Sequence, residues 1–222
     1  MKINDLFEAR KNFDHPNQPS RDLYQHLSKY FDKDNIFLSF QDVNKIGINP
    51  RPSHGTPVGF YAYPLISFEQ KLKQFKQKDQ EINSVFPYGE YRQYIKVFTT
   101  TSEPLNIMDY NSFEEDKQKL VSMFNEEIIN NCIRHDKAKQ GQFAQIYDLT
   151  YRLTLMYSGG KEMHFVWNKL LRKVGLNDLV DYGNGIIHGM ERAQALFLTT
   201  KNIKPLETIE NFNRGKLPAY FG

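Results

Sequence analysis

The chain has 222 residues, enough for one large domain or two small ones with a real core, and 29 Lys and Arg against 26 Asp and Glu leave a formal charge of +3. That near balance gives no ground for nucleic-acid binding from charge alone. A hydrophobic fraction of 40% with 17 Phe and 13 Tyr excludes a disordered chain, and the single cysteine, Cys132, excludes an intrachain disulfide and any zinc site needing two thiolates.

No apolar run approaches the roughly 20 residues of a bilayer span, and the opening Met1-Lys2-Ile3-Asn4-Asp5 lacks the apolar stretch of a secretory signal. The expectation is a soluble protein of a reducing compartment with no membrane partner. Lys11 to Ser20, with Pro16 and Pro19, offers little to pack, so residues 1–19 are expected to be mobile and folding to begin at residue 20. Ser20 caps a predicted helix over 20–32 on the spacing of Leu23, Leu27, Tyr30 and Phe31. Ile36 to Phe40 reads as a buried strand. Two turn-rich stretches, Gly47 to Pro50 and Ser53 to Pro57, bracket a loop before a second strand, Val58 to Tyr63. Ser67 and Gln70 form a capping-box pair ahead of a helix with Phe68, Leu72 and Phe75 on one stripe. Tyr91 to Thr100 alternates, with Ile95, Val97 and Thr99 on one side and Tyr94, Lys96 and Phe98 on the other, as a strand does.

A second capping-box pair, Ser112 and Glu115, opens what reads as the longest helix, its face running through Leu120, Phe124, Ile128 and Cys132 to about His135. Phe143, Ile146, Tyr147, Thr150 and Leu153 predict another, stopped by Gly159-Gly160. The spacing of Met163, Val166, Trp167, Leu170, Leu171 and Val174 predicts one more, up to Gly175. Leu179-Val180-Asp181, the turn Tyr182 to Gly185, and Ile186-Ile187-His188 predict a tight hairpin. Ala193 to Leu198 is an apolar strand, and Ile203 to Ile209 a last one, placed at an edge by Pro205. Strands at both ends with helices between them define an α+β plan: one domain over 20–222, with a mostly helical middle part at 66–166.

No two of the six histidines have the spacing that puts two imidazoles on one helix face, so no metal site is expected. His54, in a loop, and His188, at a strand end, are placed so that either can approach a ligand but read more simply as surface histidines, and Cys132, on an apolar helix face, reads as core. Gly183, Gly185 and Gly189 serve turns, and the chain has neither a phosphate-cradling Gly-Lys-Ser/Thr loop nor a Gly-x-Ser-x-Gly elbow, so P-loop ATPase, kinase and ordinary serine-hydrolase chemistry drop out. What remains is a polar and aromatic set: Ser39 on the first strand, Tyr61 and Tyr63 on the second, and Glu191 with Gln194 at the entrance to a late strand. Tyr61 and Tyr63 point the same way along a strand, which suits core or rim aromatics and equally a face that holds a flat cationic ring. Glu191 is most simply a solvated loop acid. The interleaved Tyr91 to Lys96 is the pattern of a half-exposed strand, and it leaves nucleic-acid binding open without indicating it.

Two stretches carry a resemblance. One is Lys45 to Pro50 with Thr56-Pro57-Val58-Gly59-Phe60-Tyr61-Ala62-Tyr63-Pro64-Leu65. The other runs from Trp167 through Leu170-Leu171, Gly175, Asp181, Gly185 to His188, Glu191 and Gln194 to Leu198, ending at Ile203-Lys204-Pro205. Together with the opening Phe7 to Asn12 they resemble uncharacterised phage proteins and, more loosely, the ADP-ribosyltransferase-like domains of phage and mobile-element polyvalent proteins. The resemblance implies a split β core with helices inserted between N-terminal and C-terminal strands. It also implies NAD as substrate and a protein target, host or phage, met in the host cytoplasm. In such domains a polar first-strand residue, usually His or Arg, holds the NAD ribose, a second-strand Tyr or Ser seats nicotinamide, and a late-strand Glu orients the ribose hydroxyl. Position by position these roles fall to Ser39, with His54 as a neighbour from the loop, to Tyr61 or Tyr63, and to Glu191 or Gln194. Ser39 is neither His nor Arg, and Gln194 stands where the acid is expected, so the resemblance also admits a catalytically inactive domain that binds or inhibits a host or phage protein, or a minor virion protein.

Overall fold

The structure, a computed structural model, describes residues 20–42, 44–48, 57–75, 85–86, 92–101, 105–107, 113–134, 146–161, 163–184, 187 and 193–210. The expected mobile segment 1–19 lies outside them. In chain order the elements are α1 (Ser20–Leu27), a 3-10 turn (Ser28–Tyr30), β1 (Ile36–Gln41), β2 (Phe60–Pro64), a 3-10 turn (Leu65–Ser67), α2 (Glu69–Phe75), β3 (Tyr94–Thr100) and β4 (Asn106–Ile107). Then come α3 (Phe113–Phe124), α4 (Glu126–Arg134), α5 (Ile146–Tyr157), α6 (His164–Lys173), β5 (Asp178–Tyr182), β6 (Ala193–Phe197) and β7 (Ile203–Glu210). The protein is α+β. It divides into two compact units, each assembled from separated segments: Met1–Ile46, Leu65–Thr100 and Ile203–Gly222 in the first, Gly47–Pro64 and Thr101–Asn202 in the second.

In the first unit β3 is central, antiparallel to β1 on one side and to β7 on the other. Ile95 stands opposite both Phe40 and Ile209, and Leu38 opposite Val97, which builds one apolar face. Phe86 joins that face to the start of α2, its ring 5.2 Å from Phe40 and 4.7 Å from Phe68. The helix expected over 20–32 ends at Leu27 and tightens into the 3-10 turn, because the chain then reverses through Asp32 and Asn35 at φ 60° and 57°, a conformation that Asp and Asn tolerate best. Pro205 sits in β7, paired on one side to β3, as its missing N–H requires. A bulge lies beside it: Val97 faces Glu207 but Phe98 faces Pro205, leaving Leu206 unpaired. Glu207 also ties β7 to the 3-10 turn, accepting hydrogen bonds from Tyr30 Oη at 3.0 Å and Lys29 Nζ at 2.8 Å, with His26 Nδ1 3.5 Å away. Burial works to raise the Glu207 pKa, but the hydrogen bonds of Lys29 and Tyr30 and the charges of Lys29 and His26 outweigh it, and the carboxyl titrates below its ordinary range.

In the second unit the strand order is β4-β5-β6-β2, antiparallel except for the two-residue β4, which runs parallel to β5. Gly59 allows the close approach of β2 to β6: a Cβ there would stand 2.2 Å from Leu196 Cδ1. Leu179 and Leu196 meet Leu120, Ile129, Leu149, Leu153, Trp167 and Leu171 in one apolar core formed with the helices. Trp167 is the largest buried side chain, its Nε1 donating to Thr150 Oγ1 at 3.0 Å and its ring 4.6 Å from that of Tyr151. Cys132 lies in the same core, where burial pushes its thiol pKa up, with Arg152 acting in the opposite sense.

Two expectations change here. The long helix from 112 to 135 is two helices, α3 and α4, because Asn125 adopts φ 83° and its Oδ1 accepts the Ile128 N–H at 3.0 Å, ending one helix and capping the next. The second concerns the tight hairpin at 179–188, of which Gly185, Ile186 and His188 lie outside the described residues. β5 pairs with β6, Asp181 facing Gln194 and Tyr182 facing Ala193. After β5 the Asp181 carboxylate accepts the N–H groups of Gly183 (3.0 Å), Asn184 (2.6 Å) and Ile187 (3.1 Å), and Ile187 is buried in the core. Gly159, Gly160 and Gly175 end α5 and α6 at positive φ, as expected.

Candidate functional site

The pairing of β2 with β6 decides where the polar residues of the second unit stand. Tyr61 is opposite Leu196 and Ala62 opposite Ala195, so alternation places Tyr61, Tyr63, Leu196 and Gln194 on one face of the sheet. Asp181, opposite Gln194, continues that face onto β5. The apolar part of the face is the core itself, formed by Leu179 and Leu196. Toward the open end of β5 and the start of β6 it becomes polar. Gln194 is 8% exposed, Asp181 fully buried and Tyr63 half-buried.

The two tyrosines have different roles. Tyr61 packs against the core, and its Oη donates to the Pro57 carbonyl at 2.8 Å, fixing the entry into β2. Tyr63, two residues on, lies nearer to Gln194 along the same face. The expected set is thus divided. Tyr61, Tyr63 and Gln194 share one face of the second unit. Ser39 belongs to the first unit, 1% exposed on β1 and accepting a hydrogen bond from Gln41 Nε2 at 2.6 Å. His54 and Glu191 lie outside the described residues.

Asp181 escapes a reading by composition because one acid in a turn-rich stretch resembles any solvated loop residue. The signal was its neighbourhood: an Asp followed by Gly183 and Asn184 can fold back on their amides. Its three backbone hydrogen bonds hold the start of the β5–β6 connection, the connection that contains Glu191. Among the described residues no group of three His, Cys, Asp or Glu side chains is placed to hold a metal ion, and no helix is long and apolar enough to cross a membrane. Chemically the face offers an aromatic ring beside a side-chain amide at the edge of an apolar wall, a combination that can stack and orient a planar polar ring. Comparison with protein-family models, with curated proteins and with solved structures finds no match to this chain.

Proposed function

We propose that the chain is a phage-encoded protein of the ADP-ribosyltransferase type, which takes NAD as substrate and modifies a host macromolecule. The observation that carries this reading is the β2–β6 pairing. It makes the tyrosine-bearing second strand and the late strand hydrogen-bonded neighbours, so that Tyr63 and Gln194, two of the residues singled out by the resemblance, share one face. The residue types suit the substrate: a half-buried tyrosine ring can stack on nicotinamide, and a buried amide can bind its carboxamide or a ribose hydroxyl.

Cleavage of the bond between nicotinamide and ribose develops positive charge on the sugar, and a nearby carboxylate stabilises that charge far better than a neutral dipole in a site shielded from water. Glu191, three residues before Gln194, is the acid assigned to this task, with Gln194 orienting the sugar. Incubation of the full chain with labelled NAD and a bacterial lysate is expected to label a lysate component, and Glu191→Ala to lower that labelling at least about tenfold, the scale of losing one charged contact in a transition state. An unlabelled lysate contradicts transfer, and equal labelling by Glu191→Ala contradicts the role given to Glu191.

A second reading is favoured by Gln194 and Ser39, neutral residues at positions where the transferase pattern expects charge. In it the same fold binds a host or phage protein without catalysis. NAD-independent recovery of one partner with the tagged chain, together with no labelling, is the result expected from it.

A further inference from the structure

The first unit carries a polar row outside the face just described. Ser39 on β1 stands opposite Lys96 on β3, and Lys96 stands opposite Thr208 on β7, all on the face that also bears the stacked rings of Phe37 and Phe98. Lys96 is only 4% exposed. Its ammonium donates to Thr208 Oγ1 at 3.0 Å and to Asn44 Oδ1, just after β1, and lies 5.2 Å from the centre of the Tyr94 ring. Among the described residues Lys96 makes no ion pair. Of the neighbouring acids, Asp42 pairs with Arg92 and Glu207 pairs with Lys29 from the opposite face, while Glu210, opposite Tyr94, lies on the same face as Lys96 and is exposed.

A buried lysine is ordinarily matched by a carboxylate, because an ammonium removed from water without a counter-charge is costly. Here every partner is a neutral oxygen or a ring face, and burial pushes the Lys96 pKa down. Each of the two hydrogen bonds takes one lone pair of Asn44 Oδ1 or Thr208 Oγ1. The donors that remain are the Thr208 hydroxyl proton, the Asn44 amide hydrogens and a third ammonium proton. A cluster with one positive charge and spare donors in several directions complements a tetrahedral oxyanion. A planar carboxylate is matched better by the fork of an arginine.

We propose that Lys96, Asn44 and Thr208 form a subsite for the phosphoryl group of a small ligand such as a nucleotide. Lys96 is buried while Asn44 and Thr208 are exposed, so the group that meets all three is a small one reaching in between two exposed side chains. The subsite stands on the first unit alone and uses neither Tyr63 nor Gln194.

The test is calorimetric titration of the full chain with pyrophosphate, ADP and adenosine, joined to NMR of the Lys96 side chain. Pyrophosphate and ADP are expected to bind, and to raise the pH at which the Lys96 ammonium titrates. Lys96→Met is expected to weaken binding at least about tenfold, Thr208→Val several-fold, and Lys96→Arg to retain most of the affinity, as loss of a charge-assisted hydrogen bond predicts. Tighter binding of ADP than of pyrophosphate identifies a nucleotide, and equal binding a bare phosphoryl group; either supports the subsite. If Lys96→Met misfolds, Thr208→Val and the Lys96 resonance carry the test. Absence of binding to the wild type, adenosine binding as well as ADP, or variants that bind like the wild type would overturn it. Failure of NAD-dependent labelling leaves this result untouched, so the two proposals fail separately.

Discussion

Asp181 accepts three backbone N–H groups with one buried carboxylate, so removing it strands three donors at once. Asp181→Ala is expected to cost about 3 kcal/mol in chemical denaturation and to speed amide exchange at Gly183, Asn184 and Ile187. A loss below about 0.5 kcal/mol would show that these amides find other partners. Lys96 and Glu207 give opposite pH signatures. The folded Lys96 pKa lies below 10.5, so in the window between the folded value and 10.5 the unfolded chain binds more protons and stability rises with pH. Lys96→Met lacks this slope and is expected to match or exceed wild-type stability at pH 7, with the wild type gaining on it as the pH climbs toward 10. For Glu207 the folded pKa lies below 4.5, so its stabilisation is complete above 4.5 and is lost as pH falls through the folded value. The stability difference between wild type and Glu207→Gln should therefore close in acid, and a difference that stays constant down to pH 3 would count against the Lys29–Tyr30–Glu207 contact. At this scale the sequence marks Ser39, Tyr63 and Gln194 by type and position, but it leaves Lys96 as one residue of a half-exposed strand. The clue it holds is Phe98, a large apolar residue two positions away on the same side, which a solvated face does not need.

Helix periodicity is read from apolar spacing, and spacing passes straight through Asn125. The pattern Leu120, Phe124, Ile128 and Cys132 stays in phase across the break, so one long helix is the natural expectation. What divides it is backbone conformation, a property of one residue rather than of a pattern. Asn125→Ala puts a Cβ-bearing residue without a cap at φ 83° and is expected to cost about 1–2 kcal/mol. Asn125→Gly keeps the conformation and loses only the cap, so it should cost less; equal losses would assign the whole effect to the side-chain hydrogen bond. The pairing of β5 departs from the expectation at 179–188 for a related reason. Alternating apolar residues on either side of a Gly-Asn pair are a sound turn signal, but buried Asp181 outcompetes a two-residue turn for the same amides, and β5 takes β6 as its partner. Strand β4, two residues long, carries no periodic signal at all.

At the scale of the whole molecule, the α+β class is legible because runs of period two and runs of period three to four occupy separate stretches of chain. Pairing is not legible in this way. That β3 lies between β1 and β7, and β6 between β5 and β2, depends on partners far apart in sequence, and no local pattern reports it. The proposed site is a consequence of one such pairing, since Tyr63 and Gln194 are 131 positions apart and share a face because β2 pairs with β6. The most direct measurement is hydrogen–deuterium exchange of the full chain with and without saturating NAD. Protection should appear in β2 and at the start of β6 and be lost in Tyr63→Ala and Gln194→Ala, and exchange that NAD leaves unchanged in both strands would contradict the account.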